Sequence, residues 1–119
     1  MTAVRSEELC PRYCRAIEIL GKRWTCLILS ILLQGPHRFS ELEHSVPGIG
    51  GRMLTERLKD LESHGILKRE ARSESAGRVE YSLTSKGYGL RRVIAEIQKW
   101  ADEWDQPLDH LLEPTKRSI

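Results

Sequence analysis

The chain has 119 residues, 30% of them charged, and a formal net charge of +2, which fits one domain with a modest core and gives only weak support to a polyanionic partner. Its longest apolar stretch, 27–33, is broken by Ser30 and falls far short of a bilayer span, and 1–8 lack a hydrophobic signal region, so a cytoplasmic protein without membrane contact is expected. Three cysteines, all in the first quarter, exclude a secreted disulfide framework.

Pro11 suits the first turn of a helix, with Cys10 near its cap. Tyr13, Ile17 and Leu20 give that helix one apolar face, and Gly21 stops it. A second helix begins at Arg23, Trp24 and Thr25. Trp24, Leu27, Ile28, Ile31 and Leu32 follow helical spacing, Leu29 and Leu33 widen the stripe, and so apolar a helix is expected at the centre of the core. Gln34, Gly35 and Pro36 end it. His37 to Phe39 is long enough only for a small edge strand. Ser40 with Glu43 three residues on has capping-box spacing, predicting a short helix that Pro47, Gly48, Ile49 and Gly50 interrupt after Val46. A longer helix follows over 51–63, with Leu54, Leu58 and Leu61 buried and Gly65 closing it. Short helix, tight turn and second helix form a helix-turn-helix. Residues 66–70 and 79–83 read as strands around a polar turn at 73–77, a hairpin in the position of a wing. Thr84 is expected to cap a last long helix, its first turn weakened by Gly87 and Gly89. Its stripe is Leu90, Val93, Ile94, Ile97, Trp100, Ala101 and Trp104. Pro107 ends it, and Leu108, Leu111 and Leu112 add a short turn.

The reading is α+β, mainly α: one winged helix-turn-helix domain over 1–119, with its core at about 10–104 and flexible tails at 1–9 and 113–119. Charge is unevenly placed along it. Ten basic residues oppose six acids over 51–92, whereas Lys99 alone opposes six acids over 93–113. The middle is therefore expected to face phosphate and the end to point away.

Opposite the Leu54, Leu58 and Leu61 stripe stand Arg52, Glu56, Lys59 and Ser63, with Thr55 at the edge. This face would enter a major groove of double-stranded DNA. Arg52 suits guanine O6 and N7, Thr55 a thymine methyl, and Glu56 either cytosine or the positioning of Arg52 or Lys59. Lys59 suits phosphate. His37 and Arg38 precede the motif within reach of the backbone, and Ser40 offers a helix start to phosphate. Arg72 and Arg78 flank the wing tip. Arg57, near the buried side, is read as structural or as a phosphate clamp. The last helix has a stripe wider than so small a domain needs, and a second copy of the chain is the simplest cover. An inverted-repeat operator follows from that symmetry.

Cys10 at a helix start, near Arg12 and Arg15, is placed to react as a thiolate. Cys14 is one turn further on, and Cys26 reads as core. The cysteine spacing is thin for a metal site, and His37, His44, His64 and His110 lie on separate elements, so no metal and no cofactor are expected. Neither a Gly-rich phosphate loop nor a nucleophile turn is present, so no enzyme is expected. The competing readings are a winged helix that binds only proteins, which would expose apolar residues where Arg52, Glu56 and Lys59 stand, and a metal-responsive repressor.

Several segments together resemble the HxlR-type winged-helix regulators, relatives of MarR. They are Cys10-Pro11, the run from Leu20 to Thr25, the run from Gly35 to Leu42, Pro47-Gly48-Ile49, the run from Leu54 to Glu62, the run from Val79 to Thr84, and Gly87. In order and spacing they cover about 10–104. The resemblance implies a dimeric bacterial DNA-binding regulator, more often a repressor, whose first and last helices form the dimer interface. It also implies, for some members, sensing of quinones, aldehydes or oxidants through a cysteine near the start of the first helix. That role would fall on Cys10. With no cysteine after Cys26, Cys14 is the remaining disulfide candidate, across the dimer axis. Gly50 stands where the family usually has Ser or Thr, and 72–78 lack the prolines common in its wings.

Overall fold

The structure, a computed structural model, describes residues 9–71 and 78–105. Its elements are α1 (Pro11–Leu20), α2 (Thr25–Leu32), α3 (Phe39–Ser45), α4 (Gly51–Ser63), β1 (Leu67–Ala71), β2 (Val79–Leu83), α5 (Ser85–Tyr88) and α6 (Arg91–Trp104). They form two compact units, one ending at Tyr88 and one beginning at Gly89. Arg72, the wing turn at 73–77, the expected tails apart from Leu9, and the short turn expected at Leu108 to Leu112 lie outside the described residues.

In the first unit Cys10 caps α1 in an extended conformation, with Pro11 at the first helical position, where a missing N–H costs nothing. No residue of α1 is buried, and Tyr13 and Ile17 are exposed. α2 starts later than its hydrophobic pattern suggests, because Trp24 adopts the left-handed conformation (φ 80°) and stands before the helix. The core is built on Ile28, Leu29 and Leu32, all fully buried, but Leu27 is 54% exposed and Trp24 only half-buried. Both were expected inside. α2 is apolar nearly all round, so its pattern cannot choose which face turns inward.

α3 starts two residues earlier than its Ser40 and Glu43 spacing predicts. Arg38 is the cap residue, and Glu41 accepts its backbone N–H at 2.8 Å. A guanidinium has no acceptor, so only this arm of a capping box exists. The turn between α3 and α4 needs Gly48, at φ 89°. Gly50 then caps α4 from an extended conformation. Leu54, Leu58 and Leu61 join Leu42, Val46 and Ile49 in the core.

β1 and β2 pair antiparallel in the register Leu67↔Leu83, Arg69↔Tyr81 and Ala71↔Val79. The expected edge strand at 37–39 is a single bridge, His37 to Tyr81. Thr84 caps a different helix from the one expected. Its hydroxyl donates to the Gly65 carbonyl at 2.6 Å and accepts the Gly87 N–H at 3.2 Å, closing the one-turn α5 onto the base of the hairpin. A Cβ at Gly87 would collide with the Ile66 carbonyl, so this packing requires glycine.

The second unit has α6 as its described helix, beginning only at Arg91. No residue of α6 is buried; Val93, Ile97, Trp100 and Trp104 are exposed, and Leu90, Ile94 and Ala101 are intermediate. Among the described residues no helix is long and apolar enough to cross a membrane.

Candidate nucleic-acid interface

Burying Leu54, Leu58 and Leu61 turns the other side of α4 to solvent. Arg52, Thr55, Glu56 and Lys59 are all exposed there. No acid of α4 occupies its own first turn, but the Glu43 carboxylate of α3 lies 3.2 Å from where a Gly51 side chain would begin, so Arg52 shares this helix start with one acid. The Thr55 hydroxyl donates to the Gly51 carbonyl at 2.8 Å, which leaves its methyl as the group with no local partner. No ion pair joins Glu56 to Arg52 or Lys59 among the described residues, so the positioning role considered for Glu56 has no contact behind it.

Arg57 makes a structural contact: its Nε–H donates to the Arg23 carbonyl at 3.0 Å, tying α4 to the turn before α2. Arg23 in turn lies 4.5 Å from the Trp24 ring centroid, a cation–π contact that helps hold the left-handed Trp24 in place. At the far end of α4, Asp60 meets Lys22 at 3.1 Å and His64 at 3.5 Å.

His37 and Ser40 come together in an open hollow of about 530 Å³ with Glu41, His44 and Ser45. His37 exchanges both backbone hydrogen bonds with Tyr81, at 3.0 and 2.8 Å. Its Nδ1 lies 2.7 Å from the Gly35 carbonyl and must therefore carry a proton, leaving Nε2 for an outside partner. The N–H of Arg38 and its guanidinium, 3.6 Å from the carboxylate, hold Glu41 below the usual carboxylate range. Arg38 is thus partly engaged by Glu41, whereas Ser40 sits exposed in the first turn of α3. Arg78 is exposed immediately before β2.

A second, narrower cleft of about 230 Å³ lies between α4 and the hairpin, lined by Thr55, Leu58, Lys59, Glu62, Arg69 and Tyr81. It brings the expected Thr55 and Lys59 together with Arg69 and Tyr81, which the sequence reading did not select. The register is the signal that finds them, since Arg69 and Tyr81 lie on the same sheet face as the buried Leu67 and Leu83.

Cys10 is exposed and makes no side-chain cap hydrogen bond. Cys14 is half-buried. Cys26 donates to the Leu20 carbonyl at 3.6 Å, and burial pushes its thiol pKa up. Among the described residues no three His, Cys, Asp or Glu side chains converge as metal ligands would.

Comparison with known proteins agrees with this architecture. The family description "HxlR-like helix-turn-helix" matches residues 19–109. The HTH-type transcriptional regulator YvaP of Bacillus subtilis (strain 168) is 49% identical over 104 residues, 87% of this chain and 96% of YvaP. The regulator YodB of the same organism is 43% identical over 108 residues, 91% of this chain and 96% of YodB. The reduced form of YodB superimposes with a TM-score of 0.75 at 43% identity, over 83% of this chain and 97% of that one. Its quinone-bound form gives 0.71 at 43% identity over 81% and 100%, and its diamide-treated form 0.70 at 44% over 81% and 95%.

Proposed function

This chain belongs to the HxlR-like helix-turn-helix family and is a transcriptional regulator; we propose that it is a homodimeric repressor that occupies an inverted-repeat operator and releases it when Cys10 reacts with an electrophile or oxidant. The observation that carries the DNA-binding part is the exposed α4 face of Arg52, Thr55, Glu56 and Lys59 behind a capped short helix and a glycine turn. In this reading Arg52 and Thr55 meet base edges, and Glu56 a cytosine amine. Lys59, His37, Arg38, Ser40 and Arg78 hold the backbone.

The sensing part is supported by Cys10 standing exposed at the start of α1 and by the similarity to YodB, solved in quinone-bound and diamide-treated forms. With a quinone, the Cys10 sulfur adds to a ring carbon and the ring is left as the hydroquinone thioether, having taken up the electron pair and the proton. With diamide, two thiols lose two electrons and two protons to the N=N bond, joining Cys10 of one protomer to Cys14 of the other.

Selection of bound duplexes from a random pool, with and without diamide or a quinone, tests the reading. An inverted repeat recovered only under reducing conditions is the expected result. Recovery of no preferred sequence sinks the operator, and recovery unaffected by either reagent sinks the sensor while leaving the operator standing.

A further inference from the structure

The two faces of the hairpin differ in charge balance. On one face Lys68 pairs with Glu70 at 3.7 Å, and Glu80 stands opposite Glu70, leaving that face without surplus positive charge. The other face begins at the buried Leu67 and Leu83 and, two residues further out, carries Arg69 and Tyr81. Tyr81 uses its backbone N–H and carbonyl on His37. Its pairing with Arg69 is therefore the non-hydrogen-bonded kind, with Cα atoms about 4.5 Å apart and side chains at their closest. Tyr81 is flanked by the His37 bridge on one side and by β1 on the other, and it lines the cleft beside α4 together with Arg69. Thr55 and Lys59 line the same cleft from the helix. Among the described residues neither Lys59 nor Arg69 has a side-chain hydrogen bond or ion pair. Glu62 is the one acid in the lining, two turns along α4 from Thr55.

We propose that this cleft seats one backbone phosphate of the bound duplex, gripped by Arg69 and Lys59, with Tyr81 as the positioning residue for Arg69. The inference rests on α4 being the helix that enters the groove. A phosphodiester group is small enough for a cleft of 230 Å³. Its two non-bridging oxygens match the guanidinium fork. Glu62 repels a second phosphate further along the cleft, so the seat takes one. A grip on the backbone between helix and hairpin fixes the rotation and depth of α4 in the groove without preferring any base.

The test compares the intact chain with Arg69→Gln on selected and random duplexes across a salt series. Because the proposed dimer carries one such seat in each protomer, R69Q should lower the slope of log affinity against log salt by about 1.8, equivalent to about thirtyfold weaker binding at ~0.15 M salt. The ratio between selected and random sequence should not change, nor should the unfolding midpoint, since Arg69 is exposed. Replacing phosphates one at a time by neutral methylphosphonates should reveal one position per half-site that weakens the wild type more than it weakens R69Q, which keeps only the Lys59 contact there. Tyr81→Leu should weaken wild-type binding and have no further effect on the R69Q background. A wild-type slope for R69Q overturns the seat, and so does a loss confined to the selected sequence, which would make Arg69 a base reader. Inorganic phosphate that displaces DNA better than chloride at equal ionic strength would assign the cleft to a free anion and overturn the duplex seat. If the wild type binds no duplex at all, the reading of α4 falls and takes this inference with it, an outcome distinct from an unchanged R69Q slope.

Discussion

Arg52 stands exposed in the first turn of α4 and forms no ion pair among the described residues. A guanidinium there has the reach and the two-pronged donor geometry for a guanine edge. Arg52→Ala should weaken specific binding by about 1–3 kcal/mol and relax the preference at one base pair in each half-site. Binding titrations on a set of single-base operator variants check it, and an equal loss on random DNA would make Arg52 a phosphate contact. The cysteines separate on the same scale. Cys10 is exposed at a helix start, whereas burial raises the pKa of Cys26. A raised pKa means a smaller thiolate fraction at every pH below it, and the thiolate is the nucleophile. Iodoacetamide at neutral pH should therefore mark Cys10 well before Cys26, and Cys26 labelling should climb only at pH values more alkaline than an ordinary thiol needs. Peptide mass mapping over a pH series reads both. Cys10→Ser should bind DNA normally yet stay bound under quinone or diamide. If that variant still releases, Cys10 has a structural role only.

At the level of elements, the base of the wing depends on Gly87. The clash there is with a backbone carbonyl, which has no rotamer to escape into. Gly87→Ala should destabilise the protein by roughly 1–3 kcal/mol, read as a lower denaturation midpoint. Wild-type stability in that variant would show that α5 can shift freely. The same elements show what a sequence makes legible. α4 and β2 were bounded correctly because each has a single apolar stripe and a clear stop: Leu54, Leu58 and Leu61 ending at Gly65, and the alternation from Val79 to Leu83. α2 lacks that contrast, so Leu27 gave no sign of facing outward. The start of α3 was hidden because Arg38 is not a cap-forming residue, and the wrong Ser–Glu pair has the right spacing. Arg69 and Tyr81 escaped notice because a charged residue on the core-side face of a strand is recognisable only once the register is known. The turn at Gly89 and Leu90, which separates α5 from α6, was read as a weak point inside one helix when it is a break.

At the scale of the whole molecule, large apolar side chains stand exposed on two helices among the described residues. Tyr13 and Ile17 on α1 and Val93, Ile97, Trp100 and Trp104 on α6 are exposed, the two tryptophans at 61% and 64%. Neither helix has a buried residue of its own. Contiguous apolar faces of this kind mark an interaction surface, and large aromatics usually dominate its energy. Because Trp100 and Trp104 are exposed in the single chain, replacing both by Glu should leave the fold of each protomer intact while placing charge at the centre of the proposed interface. W100E/W104E should sediment as a monomer at micromolar concentration, where the wild type should sediment as a dimer. A twofold dimer sets its two recognition helices about 34 Å apart, in successive major grooves, so wild-type footprints should show half-sites centred about 10 base pairs apart or a multiple of that. The double variant should lose cooperative occupation of the two halves and retain weak binding to either alone. A wild type that sediments as a monomer and protects one asymmetric site would assign the α1 and α6 faces to a different partner. A W100E/W104E dimer with unchanged footprints would move the interface away from α6.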